Sequence, residues 1–401
     1  MSTSLLYHGF GIVGYHHKVT RFEKGTIVFT ISPPRLCCPC CGSRDIIHHG
    51  SRRRLWKNLP IGHRATYIEY DIPRIECNSC GVIRQVTVGF ADERKRHTKR
   101  FSRYALELCR LMTIQDVAVH LGVSWNVIKD IQKTDLIHRY ARPPLKHLRH
   151  IAIDEIAVKK SHKYLTVVLD LDSGAVVFVG DGKGADALDP FWKRVRRSRA
   201  VIEAVAMDLS PAYQRAVRMN LPEAAIVFDR FHVVKLMNDK LSQLRRGLQG
   251  EADILGKKTL KGTRWLLLKN PDNLNDSRNE RQRLAEALDF NKPLACAYYL
   301  KEELRLFWEQ PDKSAAQRFL KQWCERARDS GIRPMMDMAK TLTRHRRGLL
   351  NWYDYPISTG PLEGTNNKIK TMKRQAYGYR DMTFFKLKIL ALHETKYALV
   401  G

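Results

Sequence analysis

From His150 to Phe231 the apolar residues change period several times, and the order of those changes constrains the fold more than any other feature of the chain. Residues 151–158, 164–170 and 175–180 carry the β-branched, alternating or continuously apolar character of strands, and Asp172-Ser173-Gly174 supplies a turn between the last two. Residues 186–197 take helical spacing, 201–208 return to a strand, 211–219 to a helix, 225–229 to a strand, and a long helix starts at Phe231. Three consecutive strands joined by turns predict an antiparallel meander.

Three strands, helix, strand, helix, strand, helix is the element order of the ribonuclease-H-like fold, which is built on a mixed five-stranded sheet. Two acids fall where such a sheet needs them. Asp154 sits in the middle of the first strand and Asp208 at the end of the fourth, and these strands are neighbours in that fold. Glu155 points to the opposite face from Asp154, and periodicity alone leaves open which of the two faces a site. Asp170 and Asp172 compete as surface acids.

A third acid comes from Ser358-Thr-Gly-Pro-Leu-Glu-Gly-Thr-Asn-Asn-Lys-Ile-Lys-Thr-Met-Lys-Arg374. Ser358 or Thr359 can cap a helix here, and Pro361 suits its first turn. Leu362, Thr365, Ile369, Met372 and Ala376 form a stripe predicted to be buried; Glu363, Asn367, Lys370 and Arg374 form the adjacent polar stripe. An acid heading a row of amides and cations suits a metal-dependent site on a polyanion. The simpler alternative is an acid stabilised by the helix N-terminal dipole. Asp154, Asp208 and Glu363 together can hold two Mg²⁺ or Mn²⁺ ions about 3.5–4 Å apart, since hard oxygen donors select those ions over zinc. In Asp229-Arg-Phe-His232 the histidine can touch a scissile phosphate or leaving group, or else pair structurally with Asp229.

Between Asp208 and Glu363 lie 154 residues, more than the fold requires. The excess, from about residue 250 to 345, reads as helices, for example 294–309 and 314–328. Trp265 near its start either joins a core or stacks on an unpaired base. Cys296 and Cys324 are expected in the core. A closing helix is expected over 383–398, with Lys386 and Lys388 adding phosphate contacts.

Cysteines crowd the front of the chain. Cys38-Pro-Cys-Cys41-Gly42 and Cys77-Asn-Ser-Cys80-Gly81 are two CxxC-Gly knuckles, and four thiolates make a closed, structural zinc site. Cys37 and Cys40 share the CxxC spacing, but Gly42 directly after Cys41 favours Cys38 and Cys41. The 35 residues between the knuckles leave room for strands, and 64–73 reads as one. Arg52, Arg53 and Arg54 are expected on DNA phosphates. Beyond a charged linker, Val117, Ala118, Leu121, Gly122, Ser124, Val127, Ile128 and Ile131 have helix-turn-helix spacing, with Trp125, Asn126 and Lys129 facing outward to DNA.

The whole chain is basic: 70 Lys and Arg against 41 Asp and Glu give a formal net charge of +29. Such an excess points to nucleic acid, since each neutralised phosphate releases a counterion. No apolar run approaches the roughly 18 residues of a membrane span, and the first residues lack a signal peptide's pattern. A cytoplasmic protein is therefore expected, its nine cysteines serving as metal ligands or free thiols.

Taken in order, the knuckle, the helix-turn-helix, Ile153-Asp-Glu155, Met207-Asp-Leu-Ser-Pro-Ala-Tyr213, Asp229-Arg-Phe-His-Val-Val-Lys235 and Ser358-Thr-Gly-Pro-Leu-Glu-Gly-Thr-Asn-Asn367 resemble bacterial insertion-sequence transposases of the ISL-three family over essentially the whole chain. The resemblance implies a DDE transposase in which Asp154, Asp208 and Glu363 match the catalytic acids and Asp229 and His232 match a (C/D)xxH motif. It also implies an all-helical insertion. The expected organisation is a zinc ribbon over 1–95, a helix-turn-helix over 96–145, a ribonuclease-H-like core over 146–249 and 348–401, and the insertion over 250–347. The expected activity is Mg²⁺-dependent cleavage of the element's inverted-repeat ends and their joining to target DNA, by a homodimer on double-stranded DNA. A binding regulator with a silent core and a nuclease of the same fold are the rivals.

Overall fold

The computed structural model describes residues 4–33, 35–159, 163–252 and 254–393. They form two compact units, residues 4–141 with Thr371–Ala391, and Arg142–Lys370 with residues 392–393.

The first unit opens with a short helix, α1 (Leu5–His8), and a five-stranded sheet of β1 (His16–Glu23), β2 (Thr26–Ser32), β3 (Ile46–Ile61), β4 (Arg64–Cys77) and β5 (Ile83–Gln85). The strand order is β1-β2-β4-β3, with β5 also on β4. All pairs are antiparallel except β2 with β4. Phe29, Trp56, Ile68 and Tyr70 close with Leu6, Phe10 and Phe90 into a core on one face. Of these strands only residues 64–73, the first ten of β4, were expected from the sequence. The long strand β3 escapes because His48 to Arg53 are polar and exposed on both faces, so no alternation marks them.

The helix-turn-helix consists of α2 (Lys99–Leu108), α3 (Ile114–Leu121) and α4 (Trp125–Tyr140). Val117, Ala118, Leu121, Ile128 and Ile131 are buried, as their spacing predicts. Gly122 ends α3 at φ +57°, a conformation that favours glycine. Thr113 caps α3 by accepting the Asp116 N–H at 3.1 Å, whereas Ser124 stands at the N-cap of α4 with no side-chain cap bond.

In the second unit the sheet is β6 (His150–Lys159), β7 (Lys163–Asp170), β8 (Val176–Asp181), β9 (Ala204–Met207) and β10 (Ala225–Phe228), in the order β10-β9-β6-β7-β8. The first three are antiparallel neighbours, and β9 and β10 run parallel to β6. That is the ribonuclease-H-like arrangement. Helices α5 (Asp189–Ser198) and α6 (Pro211–Asn220) cross between strands, and α7 (Arg230–Glu251) leads out of the sheet.

Eight further helices follow: α8 (Ile254–Leu260), α9 (Arg264–Leu268), α10 (Glu280–Phe290), α11 (Lys292–Arg305), α12 (Lys313–Asp329), α13 (Arg333–Leu350), α14 (Gly360–Gln375) and α15 (Met382–Leu390), the last belonging to the first unit. The insertion shares one continuous core with the sheet, running from Ile153, Met207 and Phe228 through Met237 to Trp323, Met338 and Leu350. Gly348 lets α13 reach β10, since a Cβ there would stand 2.4 Å from the Phe228 ring. Cys324 is buried as expected, but Cys296 is exposed, because it lies on the outer face of α11. Lys388 is 7% exposed and lies beside Phe384, so it offers no phosphate contact. The expected closing helix is present but ends at Leu390, where residues 391–393 turn; its expected tail over 394–398 lies outside the described residues. Among the described residues no helix is long and apolar enough to cross a membrane.

Candidate functional site

The register of β6 and β9 sets Ile153 beside Met207. The next residues, Asp154 and Asp208, therefore leave neighbouring parallel strands about 4.8 Å apart. Asp154 Oδ1 accepts the Glu155 N–H at 2.8 Å, and Asp208 Oδ1 accepts the Ser210 N–H at 2.9 Å. Burial pushes the Asp154 carboxyl above its ordinary range and the charge of Asp208 pushes it the same way; the Glu155 N–H, His232 and Asn366 pull it back. Burial and then Asp208 also raise Glu155, whose Oε2 accepts the Tyr213 hydroxyl at 3.3 Å. Alternation along the strand thus does not isolate Glu155 from the site electrostatically.

Helix α14 supplies the residue that sequence reasoning missed. Asn366 is 5% exposed and donates from Nδ2 to Asp154 Oδ2 at 2.8 Å. A carboxylate accepts only, so the amide must turn its NH₂ toward Asp154. Its Oδ1 is then buried without a partner among the described residues. The available signal was its position, four residues after Leu362 and three before Ile369, which puts an amide inside the apolar stripe. Leu362, Ile369 and Met372 are fully buried, and Asn367, Lys370 and Arg374 are exposed, as the stripes predict. Glu363 is exposed one turn before Asn366, on the neighbouring face.

Three bonds tie the segment after the insertion to the sheet. Asn351 Nδ2 donates to Ile226 O at 2.9 Å, Thr359 N–H to Asp229 Oδ1 at 3.4 Å, and Asn366 to Asp154. Asp229, 4% exposed at the N-cap of α7, is thus engaged with the backbone that leads into α14. Among the described residues no hydrogen bond joins it to His232, which is half-buried with its ring edge-on to Phe231.

The donor chemistry here suits a hard divalent cation. Asp154 and Asp208 offer carboxylate oxygens, burial first and the charge of Asp208 after it raise the cost of ionising Asp154, and the orphaned Asn366 oxygen is a neutral donor of the same hardness. Asp154, Asp208 and Glu363 are not drawn together as tightly as a preformed cluster. Among the described residues, only Cys38, Cys41, Cys77 and Cys80 bring three or more metal-capable donors within 4.8 Å of one another.

Those four sulfurs fit zinc. The Sγ separations are 3.6 Å for Cys38 and Cys80 and 3.5 Å for Cys41 and Cys77. A tetrahedron with Zn–S bonds of about 2.3 Å needs sulfurs roughly 3.8 Å apart. Backbone N–H groups of Cys41 and Cys40 lower the Cys38 thiol to about 6. Gly42 and Gly81 follow their knuckles at φ +77° and +69°. Cys37 and Cys40 are exposed and stand outside the cluster.

On β3, Arg52 is exposed, Arg53 forks onto Asp71 at 2.9 and 3.3 Å, and Arg54 lies 4.9 Å over the Trp56 ring. On α4, Trp125 and Asn126 are exposed. Lys129 is 3.0 Å from Asp381, which Lys133 also reaches at 2.8 Å. In the insertion Trp265 is 65% exposed, with the Arg264 guanidinium 4.9 Å from its ring centre.

Residues 151–389 match the DDE transposase family ISL3, residues 86–134 the helix-turn-helix domain of transposase family ISL3, and residues 34–80 the zinc-finger of transposase IS204/IS1001/IS1096/IS1165. The chain is 32% identical over 366 residues to the transposase for insertion sequence element IS1001 of Bordetella parapertussis, covering 89% of this chain and 88% of that one. It is 28% identical over 381 residues to the transposase for insertion sequence element IS1557 of Mycobacterium tuberculosis, covering 86% and 83%. A Drosophila P element transposase strand transfer complex overlaps at a TM-score of 0.37 and 12% identity, over 74% of this chain and 93% of that one.

Proposed function

The chain belongs to transposase family ISL3, and from that premise we propose that it binds the terminal inverted repeats of an insertion sequence, cleaves the ends and joins them to target DNA. Asp154, Asp208 and Glu363 would hold two Mg²⁺ or Mn²⁺ ions. When bound, such a pair supplies activation of water or a 3′-hydroxyl and neutralises charge on the leaving oxygen. Asn366 holds the Asp154 carboxylate in one orientation, and Asp229 holds the backbone ahead of α14, the helix that carries Glu363 one turn before Asn366. His232, whose charge favours ionised Asp154, is assigned to the scissile phosphate or leaving group. Asn367, Lys370 and Arg374, exposed along α14, are assigned to the DNA backbone.

The zinc ribbon and helix-turn-helix are assigned to the ends, with Arg52, Arg53, Arg54, Trp125 and Asn126 in contact; Lys129 can join them only by leaving Asp381. Trp265 is assigned to an unpaired base. A homodimer on DNA is expected, because two ends must be paired.

What carries the reading is Asp154 and Asp208 side by side on parallel strands, with an α14 amide bonded to one of them. The test is a Mg²⁺-dependent cleavage and strand-transfer assay on the element's own ends. Asp154→Asn, Asp208→Asn and Glu363→Gln should each abolish both steps while leaving end binding intact. Cleavage surviving in Asp154→Asn would remove the catalytic assignment. Wild-type binding without cleavage would favour a regulator, and cleavage without joining a nuclease.

A further inference from the structure

The sequence sets a charged linker between the knuckle-bearing sheet and the helix-turn-helix, a composition that suits a loose tether. In the structure its second half is a strap bonded to β3. Lys57 N–H donates to Arg96 O at 2.9 Å, and Lys57 O accepts the Thr98 N–H at 2.9 Å, which makes a parallel bridge between Lys57 and His97. Arg54 Nη2 donates to Lys95 O at 2.9 Å. The Thr98 hydroxyl donates to Asn58 Oδ1 at 2.8 Å and accepts the Phe101 N–H at 3.2 Å, so one side chain ties β3 to the first turn of α2. Asn58 and Thr98 are each 1% exposed, so water does not compete for that bond.

A second tie reaches the turn of the motif itself. Lys57 Nζ donates to Gly122 O at 2.7 Å, at the residue that ends α3 and leads into α4. The ammonium stands at the negative end of the α3 dipole and 5.8 Å from the Tyr67 ring centre. A cation that a phosphate could have used is spent on a protein carbonyl. Backbone pair, buried hydroxyl and ammonium thus fasten β3 both to the start of α2 and to the α3–α4 turn, and a hinge would need none of them. The exposed groups assigned to DNA ride on this frame. Arg52 stands on β3 five residues before Lys57, about 17 Å along an extended strand. Trp125 and Asn126 follow Gly122 by three and four residues. We propose that β3 and the helix-turn-helix form one rigid reader of duplex DNA, with Lys57 as its positioning residue, which accepts ends whose two recognition tracts have a single spacing and helical phase. The choice of DNA ends rests on the end-binding reading; the rigidity rests on these bonds.

The test uses the full chain without divalent ions, so strand cleavage plays no part. Hydroxyl-radical footprints of wild type, Arg52→Gln and Asn126→Ala on a duplex of the element's own end map the tract that each side chain protects. A second duplex carries five extra base pairs between the two tracts, which displaces one from the other by about 17 Å and about half a helical turn. Wild type should bind it about 100-fold more weakly than the native end, because only one tract can be held at a time. Were residues 91–100 a free tether, their ends would spread over about 16–19 Å and both tracts would stay bound. Lys57→Met keeps the aliphatic stem and removes the ammonium. It should bind the native end about tenfold more weakly than wild type and the lengthened end no more weakly, so the spacing preference drops to about tenfold. Zinc content and thermal melts matching wild type would show the variant folded, and the wild-type comparison stands without it. Wild-type affinity for the lengthened end within about threefold of the native value overturns the rigid reader, as does an Arg52→Gln footprint identical to wild type. Equal weakening of Lys57→Met on both duplexes overturns its positioning role. Wild type that binds the native end no better than a scrambled duplex is a different result: it removes the end-binding reading, and the proposal with it.

Discussion

Asn366→Leu is the sharpest probe of the site, because its effects on stability and on chemistry should separate. Leucine has the branched heavy-atom skeleton of asparagine, with bulkier methyl tips, and suits a stripe that already buries Leu362 and Ile369. The substitution removes a bond to a charged acceptor at 2.8 Å, worth about 1.5–3 kcal/mol. It also removes a buried amide oxygen that has no partner, whose burial costs about 1–3 kcal/mol. These terms oppose one another, and Asp154 is half-buried, so water can replace part of the lost bond. Global stability should therefore change by about 1 kcal/mol or less, on the order of a few degrees in Tm. The carboxylate, however, loses the donor that fixes its rotamer. If that orientation matters in the transition state, the same 1.5–3 kcal/mol appears as a cleavage rate about 10–100-fold lower. The Mg²⁺ concentration for half-maximal rate should rise as well. The assay pairs initial cleavage rates across a Mg²⁺ series with thermal melts with and without the ion. A variant that cuts within twofold of wild type at every Mg²⁺ concentration would show that the amide serves packing alone.

Other consequences are open to direct measurement. In metal-free protein, ionised Asp154 opposes folding because its folded pKa is raised by burial, so the penalty is absent below the ordinary carboxylate range and grows as pH rises through the folded value. Asp154→Asn should accordingly melt higher than wild type at pH 7, converge with it near about pH 4, and lose the Mg²⁺-induced rise in Tm; melts that stay parallel across pH would contradict this. Metal analysis should find zinc in the purified chain, retained in Cys37→Ser and Cys40→Ser and lost in Cys77→Ser together with the cooperative melting of the first unit. Asp381 is held well below the ordinary carboxylate range by Lys133 first, then by the Phe384 N–H and Lys129. Its contribution is thus present above that range and lost as pH falls through the folded value. Asp381→Asn should destabilise at neutral pH by about 1 kcal/mol for a partly exposed pair, and the difference should vanish in strong acid. Gly348→Ala should cost about 1–3 kcal/mol by forcing α13 off the Phe228 ring, read by denaturant unfolding.

Much of the fold was legible because it rests on local periodicity. The five strands and two crossover helices of the second unit occur where alternation and helical spacing put them, with ends displaced by at most three residues. The two knuckles needed only cysteine spacing and a following glycine. Strand β3 was not legible, because a polar strand in a sheet with one covered face carries no period. Cys296 and Lys388 went the other way: their types predict burial and exposure, and packing reversed both.

The sequence by itself determined the elements of the second unit's sheet, their order and the four clustered cysteines, and it put forward the three acids, because each is a property of a short window of chain. Only the tertiary structure decided what joins windows far apart. It brought Asn366 to Asp154 across 212 positions and engaged Asp229 with the Thr359 backbone instead of with His232. It also turned Lys129 toward Asp381. A hydrogen bond or an ion pair depends on angstroms between side chains, and sequence periodicity reports only the face on which each residue lies.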